Sequence, residues 1–223
     1  MKDVIRNQYF FQFRVTPEQI QYTNRLVNYS ISSHPVPDIF QHDPDGKKRQ
    51  REFRFTGTMG EVLFADAYHL PRPQKSFGAI DGQDFGQDFE FSIIGKDIIV
   101  DVKTMHRKHN YLKTNFVLNL PSYQLQRDFS YTTTYFCISL HKESSSSLIA
   151  SFLGYVHKEE ILKGEVGILY KAGTQRIKDD FTSFTFQRDT YEVDFCDIYS
   201  PPISDDIKML NGFRKKTLII SNK

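Results

Sequence analysis

The run Asp88-Phe89-Glu90-Phe91-Ser92-Ile93-Ile94 alternates with the two-residue rhythm of a strand, Gly95-Lys96 suits a two-residue turn, and residues 97–104 supply a returning strand. This hairpin constrains the chain more than any other segment, because it fixes which side chains share a face. On the returning strand Asp97, Ile99, Asp101 and Lys103 point one way, and Ile98, Val100 and Val102 the other. The valines are expected to enter a core, leaving Asp101 and Lys103 side by side at the C-terminal end of the strand. Hairpin geometry brings Asp88, at the start of the first strand, roughly opposite Asp101 or Lys103.

Helical and strand signals surround this unit. Thr16-Pro17-Glu18-Gln19 reads as a helix start, with Thr as N-cap, Pro at the first helical position and Gln closing a capping box. That helix should run to about residue 30 and bury Ile20, Leu26 and Val27. Residues 34–54 read as a polar loop broken by Pro35, Pro37, Pro44 and Gly46, and 58–69 as a second helix with Glu61 in its first turn. Further strands are expected at 114–120, 131–141, 148–156 and 191–199, and a short helix at 158–163. The pattern is mixed α/β: a mixed central sheet with helices packed against it.

Asp101-Val102-Lys103 is the segment with chemistry in it. Hydrolysis of a phosphodiester needs a nucleophilic water, neutralised charge around phosphorus and help for the leaving oxygen. A hard divalent cation held by carboxylates supplies much of this, and Mg²⁺ needs only one or two of them because it keeps several waters. The same acid-any-Lys spacing occurs at Asp45-Gly46-Lys47 and Asp206-Ile207-Lys208, but both lie in polar segments. Only Asp101-Val102-Lys103 sits on an apolar strand after a hairpin with a carboxylate at its mouth.

At these residues the chain resembles the PD-(D/E)xK, or restriction-endonuclease-like, nuclease superfamily. The resemblance is carried by Gly57-Thr58-Met59-Gly60-Glu61 opening a helix, then Asp88, then Asp101-Val102-Lys103-Thr104, and covers roughly residues 57–156. It implies a single nuclease domain over 1–223, with extensions at 1–56 and 157–223. It also implies cleavage of nucleic acid, more plausibly DNA, dependent on Mg²⁺ with Mn²⁺ as substitute. Asp88 and Asp101 would be metal ligands, Lys103 would polarise the attacking water, and Glu61 would support the metal shell. Gln87 stands where the family has Pro, and Asp101 where Glu is commoner. Asp84 and Glu90 are rivals for the first carboxylate; Asp88 is preferred to Asp84, which would lie beyond the strand. A binding protein that kept this fold without turnover is the alternative reading.

Basic clusters suit a polyanionic partner. Residues 47–54 hold Lys47, Lys48, Arg49, Arg51 and Arg54, Arg107 and Lys108 follow the candidate catalytic strand, and Phe213-Arg214-Lys215-Lys216 forms another group. Overall charge is only +2, so local clustering carries this argument. Many nucleases of this kind pair to cut both strands, so a homodimer is a possible assembly. Cys137 and Cys196 lie in apolar segments without metal-ligand spacing and read as buried free thiols. No uncharged apolar run approaches the roughly 18 residues of a membrane span, and no signal-peptide pattern is seen, so a cytoplasmic protein is expected.

Overall fold

Strand β1 (Tyr9–Arg14), not foreseen above, buries Phe11 and Phe13 on one face and Phe10 on the other. The structure, a computed structural model, describes residues 6, 8–33, 45–75, 88–93, 96–107, 117–126, 131–144, 147–177 and 183–217. Helix α1 (Pro17–Ser33) begins as expected, with Gln19 N donating to Thr16 Oγ1 at 3.2 Å and Thr16 N to Gln19 Oε1 at 2.9 Å.

Helix α2 (Gly46–Ala67) corrects the expected loop: Lys47, Lys48, Arg49 and Arg51 are all helical. The reason lies partly in propensity, since Lys, Arg, Gln and Glu are good helix formers, and partly in the partner helix. Arg51 donates to Asn28 Oδ1 at 2.7 Å and Asn24 Oδ1 at 3.3 Å, and buried Arg54 donates to Ser30 Oγ at 2.5 Å. α1 thus holds the basic half of α2 in register.

The remaining elements, in chain order, are β2 (Phe89–Ile93), β3 (Lys96–Arg107), β4 (Val117–Pro121), α3 (Ser122–Leu125), β5 (Thr134–Lys142), β6 (Leu148–His157), α4 (Lys158–Leu162), β7 (Ile168–Tyr170), β8 (Gln175–Ile177), β9 (Ser183–Thr185), β10 (Thr190–Asp194), α5 (Asp205–Lys208) and β11 (Arg214–Thr217). The expected strand at 191–199 stops at Asp194, where a 3₁₀ turn (Phe195–Asp197) takes over; Tyr199 then makes an isolated bridge to Tyr155.

The central sheet has six strands in the order β11-β1-β6-β5-β3-β2. β3 and β5 are parallel and the other neighbours antiparallel, so the sheet is mixed. α1 and α2 lie over one face, where Val100, Val102, Phe136, Ile138 and Phe152 meet Met59, Leu63 and Phe64 of α2. The opposite face carries Phe10, Tyr135, Cys137, Leu153 and Val156, covered by Leu118 and Leu120 of β4, Val193 of β10, Leu125 of α3 and Ile161 of α4. That cover includes a three-stranded sheet, β4-β10-β7, beside a separate β8-β9 ribbon. The protein is therefore mixed α/β, with a six-stranded mixed central sheet flanked by helices. Among the described residues, no helix is long and apolar enough to cross a membrane.

Candidate active site

The β2–β3 ladder pairs Phe89 with Val100, Glu90 with Ile99, Phe91 with Ile98, Ser92 with Asp97 and Ile93 with Lys96. Lys96, expected in the turn, therefore belongs to the returning strand, one position earlier than Gly95-Lys96 requires; residues 94 and 95 lie outside the described residues. Moving a two-residue turn by one position slips the register by two, an even number, so every side chain keeps its face. Asp88 lies just beyond this ladder, beside the stretch Val100–Val102.

Asp101 and Lys103 share the face of β3 that looks away from α2, because Val100 and Val102 enter the helix-side core. Lys103 Nζ lies 2.7 Å from Asp101 Oδ2. Asp101 is only 7% exposed, and burial of a charge is tolerable only when it is paired or bonded. Tyr135 of β5 stands next to Asp101 in the parallel register, and the Lys103 ammonium sits 5.8 Å from the centre of its ring. Burial, with the Asp101 charge adding to it, pushes the Tyr135 phenol well above its ordinary range, so it stays protonated. Nothing in the apolar run around Tyr135 distinguishes it in the sequence; only the parallel register brings it here.

Asp88 sits just outside β2 and prolongs its ladder. Its amide donates to Val100 O at 3.0 Å, and its Oδ2 accepts from Val102 N at 2.6 Å. The carboxylate thus takes the acceptor position that a further strand carbonyl would fill, beside the backbone joining Asp101 to Lys103. Glu90 is exposed opposite Ile99, two residues before Asp101 on the strand. Asp84 lies outside the described residues.

Glu61 belongs to α2, the helix layer, and is half-buried. Its neighbour Gly60 marks where α2 touches β3: a Cβ added there would fall inside the Thr104 side chain. Glycine is required for that approach; Thr104 shares the helix-side face of β3 with Val100 and Val102, so α2 and Glu61 lie across β3 from Asp101 and Lys103.

The expected basic positions divide between layers. Lys47, Lys48 and Arg49 are exposed on the first turns of α2, and Arg51 reaches α1. Arg107 lies on the Asp101 face, partly buried, with Nη2 3.2 Å from Met105 Sδ; desolvation holds its pKa below the ordinary value. Lys108 falls outside the described residues. Cys137 is a buried free thiol pushed up to about 12 by desolvation, whereas Cys196 is only half-buried.

Among the described residues, no three or more His, Cys, Asp or Glu side chains gather into a metal-ligand set. What the geometry does assemble is a buried carboxylate, an ammonium at bonding distance, a second carboxylate on the adjoining strand edge and a protonated phenol behind them. No protein family, curated protein or solved structure matches the chain.

Proposed function

We propose that the chain is a metal-dependent nuclease of the restriction-endonuclease-like kind, acting in the cytoplasm and hydrolysing phosphodiester bonds, with DNA as the favoured substrate. The observation that carries this reading is the Asp101–Lys103 pair on one face of β3, 2.7 Å apart, with Asp88 brought to the same stretch by the β2–β3 hairpin. The donor chemistry suits a hard cation: Asp88 and Asp101 offer carboxylate oxygens, which Mg²⁺ or Mn²⁺ prefers to nitrogen or sulfur. Glu61 lies on α2, across β3 from the Asp101–Lys103 face, so Asp88 and Asp101 are the ligands on which this reading rests. When bound, the cation supplies Lewis acidity and lowers the pKa of a coordinated water.

The chain's own groups do the rest. Lys103 orients the attacking water and offers positive charge to the phosphorane oxygens as they develop. Pre-oriented charge of this kind acts mainly in the transition state. Tyr135 and the apolar layer behind it limit water on one side, which strengthens each electrostatic contact. A pair of copies would let each site serve one strand.

Incubation with DNA and RNA in Mg²⁺, Mn²⁺ or EDTA tests the proposal directly. Metal-dependent cleavage by the wild-type chain, lost in Asp101→Asn, supports it. One observation favours a second reading, a nucleic-acid-binding protein without turnover: Asp101 and Lys103 also satisfy each other as a plain ion pair. Binding without cleavage under every metal would select that reading.

A further inference from the structure

The basic run Phe213-Arg214-Lys215-Lys216 is sorted by strand parity once β11 pairs with β1. Arg214 stands opposite Gln12, Lys215 opposite Phe11 and Lys216 opposite Phe10. Lys215 therefore turns to the helix side, where its ammonium lies 3.9 Å from the Tyr9 ring centre. Arg214 and Lys216 turn to the other face and line a cavity of about 160 Å³ with Arg14, Gln12, His141 and Glu143. Gly212 makes this closure possible: its φ of +69° suits glycine, and a Cβ there would come within 3.3 Å of the Arg14 side chain.

Among the described residues, the charges in this cleft do not balance. Glu143 lies 3.2 Å from Arg14 and 3.9 Å from Arg214, so one carboxylate serves two guanidinium groups, and Lys216 adds a third cation. Gln12 is held in place by its 2.8 Å bond to the buried Ser151 hydroxyl. Lysines and arginines on an edge strand are a common guard against pairing with another sheet. That account covers Arg214 and Lys216, but not why Arg14 from β1 joins them around one concavity. Guanidinium groups gathered around a recess match a tetrahedral oxyanion.

We infer that the Arg14–Arg214–Lys216 cleft is a phosphate-binding site that holds a backbone phosphate of a nucleic-acid strand. It lies on the same sheet face as Asp101 and Lys103, roughly 14 Å away across β6 and β5 and, being level with His141 and Arg107, about 13–20 Å further along the strands. It would grip the strand away from the bond being cut. The anion site stands on its own lining; its assignment to a polynucleotide rests on the nuclease reading.

The test uses the full chain in EDTA, so that no cleavage is needed. Inorganic phosphate is titrated while the Gly212 and Gln12 amide resonances are followed, and a short labelled oligonucleotide is then bound at increasing salt. Arg214→Gln with Lys216→Gln is the probe variant, because both side chains sit on an exposed edge strand; a thermal melt checks its fold. Expected are phosphate-induced shifts at Gly212 and Gln12 that the variant loses, competition by oligonucleotide, affinity for it about tenfold weaker and a salt slope flatter by about 1.5. Phosphate that leaves Gly212 and Gln12 unmoved overturns the site. Phosphate binding with unchanged oligonucleotide affinity and slope in the variant overturns the polynucleotide assignment. Failure of the nuclease reading would show separately, as wild-type protein that binds the oligonucleotide but cleaves under no metal.

Discussion

Asp88 Oδ2 accepts the Val102 amide at 2.6 Å, so one carboxylate both finishes the β2–β3 ladder and stands at the candidate metal position. The two roles can be separated. Asp88→Asn keeps an oxygen for Val102 N and should retain stability while losing metal-dependent cleavage. Asp88→Ala orphans that amide as well and should be destabilised by about 1–2 kcal/mol. Urea denaturation beside a cleavage assay reads both; equal stability of the two variants would remove the structural role.

Lys103→Ala should lower the cleavage rate at least roughly 100-fold while leaving the fold and most of the nucleic-acid affinity intact, because Lys103 acts on developing charge. Asp101→Asn should also abolish cleavage, by weakening the cation site, so excess Mn²⁺ should restore part of its rate but none for Lys103→Ala. Cleavage rate against metal concentration distinguishes them, and wild-type turnover by Lys103→Ala would sink the mechanism.

Gly60→Ala places a methyl group inside the Thr104 side chain and should cost about 1–3 kcal/mol through forced separation of α2 from β3. Thr104→Ala removes the obstructing hydroxyl and methyl, so the double variant should be more stable than the sum of the singles predicts. A double-mutant cycle by thermal or chemical unfolding measures this coupling; strict additivity would mean the two residues do not meet.

Lys47, Lys48 and Arg49 are exposed, whereas Arg51 is bound to Asn24 and Asn28. Replacing the first three with Ala should flatten the salt dependence of DNA binding by about 2–3 in slope. Arg51→Ala should instead lower stability by about 1 kcal/mol. An unaltered slope in the triple variant would assign those three residues to solvent.

Glu160 gives a pH dependence. Burial pushes its carboxyl up, but the Tyr199 hydroxyl at 2.7 Å, the Arg6 guanidinium at 2.7 Å and the His157 amide together outweigh this and hold it below the ordinary range. A depressed folded-state pKa contributes stability that is complete above the unfolded value and is lost as pH falls through the folded one. Wild-type stability should therefore drop more steeply than that of Glu160→Gln as pH falls below roughly 4. Parallel acid limbs in the two denaturation profiles would contradict this.

What could be read in the sequence was what repeats with a short period or carries a local signature. The capping box at Thr16 and Gln19, the alternation across 88–104 and the long apolar strands β5 and β6 are of this kind. Lys96 reads as turn because Gly95 marks a turn without saying which neighbour shares it, whereas Lys96 pairs with Ile93 on the strand. The basic half of α2 read as loop because its support, Arg51 to Asn24 and Asn28 and Arg54 to Ser30, comes from another helix. Strands β7, β8 and β9 span three residues each, too few to display a period. Asp88, Asp101 and Lys103 were found from hairpin geometry; Tyr135 and the Arg14 cleft depend on pairings between distant segments, which local pattern does not encode.

The parallel pairing of β3 with β5 also sets an order of events. β5 and β6 close through a tight turn, with Glu143 N donating to Ser147 O at 2.9 Å, so they can zip early. Val100 meets Thr134 only after the 33 residues between them have been gathered, and that loop entropy must be met before any contact rewards it. The strand bearing the acidic pair therefore docks late onto an existing hairpin. A partly folded chain would keep β5–β6 while Asp101 and Lys103 still lacked Tyr135 behind them, so the candidate site is assembled only when this seam closes, and the still longer-range pairings of β1 with β6 and β11 complete the sheet.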